Sequence, residues 1–189
     1  AFLDTDQMEK KRGITIFSKQ AELKFCDTAI TLLDTPGHVD FSAEMERTLQ
    51  VLDYAILVIS ASDGVQGHTQ TLWRLLRRYQ VPVFLFINKM DQPGTDQKQL
   101  MAELKKKLSD GCVDFSVTGT EEFYEEIAME EEDAMEYFLS HGTLEEDKIC
   151  NLIADRKIFP CFFGSALKMQ GVETFLRGID RYTLAPDYP

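Results

Sequence analysis

Nearly unbroken apolar runs at residues 29–33, 54–60, 81–87 and 160–163 punctuate the chain, each closed by a polar or glycine-bearing turn. Short apolar runs bounded by turns predict buried strands, and the run 54–60, with no polar interruption before its last residue, predicts a strand covered on both faces. Apolar positions between the runs recur at helical spacing. Phe41, Met45, Leu49 and Leu52 predict a helix over 41–52; Leu72, Trp73, Leu75, Leu76 and Tyr79 form the stripe of a helix over 66–79, with Arg74, Arg77 and Arg78 mostly off it. Leu100, Met101, Leu104 and Leu108 do the same for 96–108, and a last helix spans 172–182. Strand-like residues 21–25, a turn at Cys26, Asp27 and Thr28, and the return over 29–33 predict an antiparallel hairpin. Strands alternating with helices predict an α/β fold with a mostly parallel sheet flanked by helices.

From 109 to 157 the pattern changes to acidic helices, including the run 121–133 with Phe123, Tyr124, Ile127 and Met135 as a weak apolar face. Thr143 and Glu146 have the spacing of a capping box. Because a strand resumes at Pro160, this stretch reads as a mainly helical, acidic insertion. The predicted organisation is a core over 1–108, the insertion over 109–157, the end of the core over 158–184 and a linker over 185–189. Residues 1–13 are polar, and 12–16, RGITI, switch to alternation around Thr15.

A length of 189 residues suits one domain with an insertion, and 44% hydrophobic content supplies a core. A net charge of −12 argues against direct nucleic-acid binding by this domain, which needs a basic face. The apolar runs fall short of the roughly 20 residues that span a bilayer, and the polar start has no apolar signal core, so the expected location is the cytoplasm, away from membranes. Cys26, Cys112, Cys150 and Cys161 lack CxxC spacing and read as reduced thiols. Because it opens with Ala1 in a polar stretch, the chain is expected to be a piece of a longer protein.

Candidate chemistry sits where the runs end. The first run delivers Asp34, then Thr35, Pro36, Gly37 and His38, a DTPGH turn before a helix. An Asp at the carboxyl end of a parallel strand can hold hydrated Mg2+, and a glycine N–H can approach a terminal phosphate oxygen. His38 sits where a water attacking that phosphate needs a partner. Asn88, Lys89, Met90 and Asp91 follow the third run, and Gly164, Ser165, Ala166 and Leu167 follow the fourth. Polar clusters at several strand ends fit the rule that α/β sheets bind ligands at the carboxyl ends of their strands. The bland alternatives are turns that only redirect the chain, a solvated face for the acidic run, and surface positions for His68 and His141.

DTPGH, NKMD and GSAL in this order, with RGITI upstream, resemble the translational GTPases of the elongation factor G superfamily over nearly the whole chain. Within it, DGVQGHTQTLW and INKMDQ are most similar to the ribosomal protection proteins that confer tetracycline resistance, with peptide-chain release factor three as a near alternative. The resemblance implies a P-loop NTPase-like G domain that uses GTP/GDP and Mg2+ and partners the ribosome. Thr15 and Asp34 would serve the metal, Gly37 N–H would sense the γ-phosphate, and His38 would orient the hydrolytic water. Asp91 would accept the paired N–H donors of guanine, Asn88 would tie the base loop to its neighbours, and Lys89 would lie along the base. Backbone N–H groups at Ser165 and Ala166 would meet the guanine oxygen. On charge grounds alone, the rival to a solvated face for the acidic run is a docking surface for a basic ribosomal protein.

One family motif is missing. No glycine is followed by Lys, so GxxxxGKS/T cannot be placed in these 189 residues. In the family that loop and its strand precede the Thr15 segment, and the strand is central to the sheet. The expectations are weak GTP binding and negligible hydrolysis by this chain alone, and exposed apolar faces on the neighbouring strands. The rival reading is a partner-binding module with a vestigial nucleotide site.

Overall fold

The computed structural model describes residues 19–35 and 42–186. Strands β1 (Lys19–Phe25) and β2 (Thr28–Asp34) form an antiparallel hairpin, and helix α1 (Ser42–Leu49) follows. Then come β3 (Ala55–Ser60), α2 (Gly67–Arg78), β4 (Val83–Asn88), α3 (Gln97–Lys107) and β5 (Cys112–Asp114). Helices α4 (Glu121–Ala128), α5 (Glu132–His141) and α6 (Glu146–Ala154), strand β6 (Phe159–Phe163) and α7 (Val172–Tyr182) complete the described chain. The second sheet is all parallel, in the order β3-β4-β6-β5.

The period-two alternation of strands divides β4 cleanly. Val83, Leu85 and Ile87 point to one face, packed with Trp73 and Leu76 of α2 and Leu100 and Leu104 of α3; Phe84 and Phe86 point to the other. There they join Phe115, Phe162, Phe123 and Ile127 of α4, Ile149 and Ile153 of α6, and Phe175 and Ile179 of α7. The acidic helices are therefore one wall of the main core. Most of their acids stay outside: Glu121, Glu122, Glu125, Glu132, Asp133 and Glu136 lie away from the buried cluster, the solvated face weighed from the sequence.

The structure corrects several expectations. Strand β3 is covered on one face only: Ala55, Leu57 and Ile59 are buried, but Ile56 and Val58 are 39% and 58% exposed. The helices on that side pack over β4, β6 and β5 and stop short of β3. Residues 29–33 do form a strand, yet not a buried one at the end of a parallel sheet; among the described residues β2 pairs only with β1, and Leu32 is 37% exposed. A groove lined by Ile30, Leu32 and Leu33 of β2 and Ile56 and Val58 of β3 runs between the two sheets, so apolar faces are exposed there as the sequence suggested. Thr28 Oγ1 donates to Asp180 Oδ1 at 2.5 Å and fastens the hairpin to α7.

The stretch read as mainly helical also holds β5. Three residues, 112–114, pair in parallel with β6 and form the sheet edge, too short a run to register as a strand in the sequence. The run 121–133 is split between α4 and α5, and Thr120, through its side chain, caps α4 by accepting from Phe123 N–H at 3.2 Å. The capping box at Thr143 and Glu146 does not form. Helix α6 begins later, its N-cap position is Glu145, and Thr143 Oγ1 turns to the Leu144 carbonyl, beside a Leu144 side chain that is itself buried. Helix α1 ends at Leu49, leaving Val51 exposed.

Candidate functional site

The parallel register of β4 and β6 sets Ile87 beside Phe163, so the two strands end side by side and release their loops together. Gly164 N–H donates to the Ile87 carbonyl at 3.0 Å, and Met90 N–H donates to the Gly164 carbonyl at 3.0 Å. Each loop thus continues the ladder of the other strand for one more step. Asn88 seals the joint. Its Oδ1 accepts from Lys89 N–H at 2.8 Å and from Ala166 N–H, in the other loop, at 2.9 Å.

The loop after β6 is a tight hairpin-like turn. Ser165 and Gln170 exchange both backbone bonds, at 2.9 and 3.0 Å, and Ser165 is buried. Glycine is required at its base: a Cβ on Gly164 would lie 2.2 Å from the Gln170 carbonyl oxygen and 3.1 Å from the Phe86 ring. Replacing Gly164 with Ala is expected to push the turn off β4, at a cost of about 1–3 kcal/mol, the range for forcing a group into a filled space. Chemical denaturation checks the loss, and a variant as stable as the parent would contradict this packing.

In the loop after β4, Lys89 adopts a left-handed backbone, φ +64°, a conformation that costs a non-glycine residue about 1–2 kcal/mol. The Asn88 carboxamide bonded to the Lys89 N–H holds it there. Thr95 Oγ1 lies 2.9 Å from the Met90 carbonyl and 3.0 Å from that of Gln92, and Asp96 caps α3 through the Gln99 N–H, so the loop is pinned at both ends.

Between the loops stands Asp91. Its side chain is 17% exposed, and its Oδ2 lies 3.2 Å from the Lys168 ammonium. A hydrogen bond from the Ser165 side chain, then the Lys168 contact, hold the Asp91 carboxyl below its usual range, so at neutral pH it is a carboxylate. Around it the turn carries Leu167, 94% exposed, and Met169, 71% exposed. An ionised acceptor beside an uncovered apolar side chain suits a flat, heterocyclic group that bears paired N–H donors.

Asn88, Lys89, Met90, Asp91, Ser165, Ala166 and Leu167 are thus brought together as the sequence suggested. The N–H groups of Ser165 and Ala166, expected to meet a ligand oxygen, are engaged by Gln170 and Asn88. Asp34 and Thr35 stand at the end of β2, in the other sheet. Thr15, Pro36, Gly37 and His38 lie outside the described residues. His68 is exposed on α2, and exposed His141 stacks on Tyr137 and bonds its carbonyl through Nδ1. Sequence reasoning missed Lys168 and Thr95. The only signal was their place a few residues beyond a motif, which sequence spacing cannot convert into an ion pair.

The family model for the elongation factor Tu GTP binding domain matches residues 1–185. Among solved structures, the chain is similar to a crystal structure of a protein from Thermus thermophilus, with a TM-score of 0.84 and 20% sequence identity. That likeness covers 97% of this chain and 34% of the other, so the chain spans about a third of the length of the structure it matches.

Proposed function

This chain belongs to the family of elongation factor Tu GTP binding domains, and from that premise we propose that the paired loops after β4 and β6 read the guanine of GTP or GDP in a ribosome-associated translation factor. Within that class the reading is an elongation factor G-like or tetracycline-protection protein, on the strength of DGVQGHTQTLW and INKMDQ. The observation that carries the proposal is the Asp91 carboxylate, ionised and set between two loops that Asn88 binds together. A carboxylate only accepts, and guanine offers two N–H donors on one edge where adenine does not. Lys89 and Leu167 would flank the base, their aliphatic parts against its faces.

The remaining roles fall to the DTPGH turn and Thr15. Their oxygen donors, the Asp34 carboxylate and the Thr15 hydroxyl, are of the kind Mg2+ takes, Asp34 acting through a bound water. The metal would offset charge on the β- and γ-phosphates. Gly37 N–H would meet the γ-phosphate, and His38 would orient the attacking water by accepting its hydrogen bond, as a glutamine does in small GTPases. Without a GxxxxGKS/T loop in these 189 residues, the chain alone is expected to bind nucleotide weakly and to turn over none measurably.

The test is a titration of the chain with a fluorescent GDP in Mg2+, challenged with excess GDP or ADP. Displacement by GDP alone supports base reading. Equal displacement by ADP, or no saturable binding at any attainable protein concentration, would sink it for this chain.

A further inference from the structure

Lys168 has no role in the proposed reading of guanine, yet among the described residues it is the cation that sits on the carboxylate that does the reading. Its ammonium lies 3.2 Å from Asp91 Oδ2, and its side chain is 54% exposed against 17% for Asp91. The geometry therefore has an inside and an outside. On the inside lies Ser165, only 2% exposed, whose hydroxyl helps to hold the Asp91 carboxyl in its charged form. On the outside, toward solvent, stands Lys168. A base arriving from solvent needs both carboxylate oxygens for its two N–H donors, and one of them is taken.

We propose that Lys168 is an internal stand-in for the guanine edge: it satisfies Asp91 before nucleotide arrives and must be displaced before the base can dock. This rests on the reading of Asp91 given above and adds a specificity-determining residue to it. The arrangement keeps a poorly exposed carboxylate paired when no nucleotide is bound, and it sets a threshold. Guanine can repay the lost ion pair with two hydrogen bonds to a charged acceptor; a base without paired N–H donors cannot, so the competition sharpens discrimination. Lys168 has room to swing away, because its own side chain is half exposed and the neighbouring Leu167 and Met169 are exposed as well.

The experiment measures GDP affinity in Mg2+ by equilibrium dialysis for the 189-residue chain and the variants Lys168→Met, Lys168→Arg, Asp91→Asn and the Asp91→Asn/Lys168→Met double. Lys168→Met is expected to tighten GDP about two- to fivefold, the yield of releasing a solvent-exposed ion pair. Lys168→Arg should restore parental affinity. In the Asp91→Asn background the Met substitution should change nothing, a coupling that a merely structural lysine would not show. An unchanged or weakened affinity for Lys168→Met, with Asp91→Asn still impairing binding, overturns the stand-in and leaves guanine reading intact. No effect of Asp91→Asn, or no GDP binding by any variant, removes guanine reading and the stand-in with it. NMR titration of the Asp91 carboxyl supplies a check independent of nucleotide. Its pKa should rise in Lys168→Met, and a static value means that the pair is not formed in solution, which also overturns the proposal.

Discussion

Asp91→Asn is expected to weaken GDP binding on the order of a hundredfold or more, because a site built to pair a ligand's N–H donors strongly rejects a mismatch in donors and acceptors. The amide presents one acceptor and one donor where the carboxylate presents two acceptors, so one guanine N–H meets another N–H. Xanthine carries a carbonyl in place of the guanine amino group. The variant should therefore bind xanthosine diphosphate better than GDP, which no account based on general damage predicts. Competition between the two nucleotides, with unfolding curves as a control, reads both effects. If Asp91→Asn keeps its preference for GDP, Asp91 does not read the base.

Phe162→Ala should produce the largest loss of stability, about 3–5 kcal/mol by the usual cost of emptying an aromatic core position. That is a large fraction of the roughly 5–15 kcal/mol that holds a domain together. Phe162 is 3% exposed and lies at the centre of the aromatic face of the sheet. Its ring is 5.3 Å from that of Phe175, 6.0 Å from Phe115 and 6.5 Å from Phe84. It also explains a glycine in the middle of α7: a Cβ on Gly178 would lie 2.3 Å from the Phe162 ring. Gly178→Ala should therefore destabilise the parent, and by less when Phe162 is Leu. Denaturant unfolding of the single and double variants measures both. A loss under about 1 kcal/mol for Phe162→Ala would mean that the ring is not packed as described.

The elements with long periodic patterns are legible in the sequence. Helix α3 shows why: Leu100 and Leu104 recur one turn apart and Asp96 supplies the cap, so its bounds follow from the pattern to within a residue. The NKMD and GSAL clusters are legible as neighbours because each follows an apolar strand. What is not legible depends on contacts distant in sequence. Whether Ile56 and Val58 are buried is decided by how far α4–α7 reach across the sheet, and nothing within residues 54–60 encodes that. Strand β5 is defined by its pairing with β6 and has too few residues to show a period. The pairing of Lys168 with Asp91 requires that one turn fold back over another loop.

The sharing of one core between β4 and the helices that follow it has a consequence for synthesis. Phe84 and Phe86 are covered by Phe162, Phe175 and Ile179, and the last two are made roughly ninety positions later. At about 5–20 residues per second, a nascent chain holds this strand without its full cover for about 5 to 20 seconds. During that interval the run VFLFIN is an uncharged apolar strand with one face unprotected. The acidic helices α4 to α6 emerge in between, and the apolar side chains they turn toward β4 offer the first shelter; slowing translation after residue 158 would therefore be less harmful than slowing it before residue 121. The acidic stretch that reads in sequence as an interruption is, on the ribosome that makes it, the early guard of the strand that ends at Asn88.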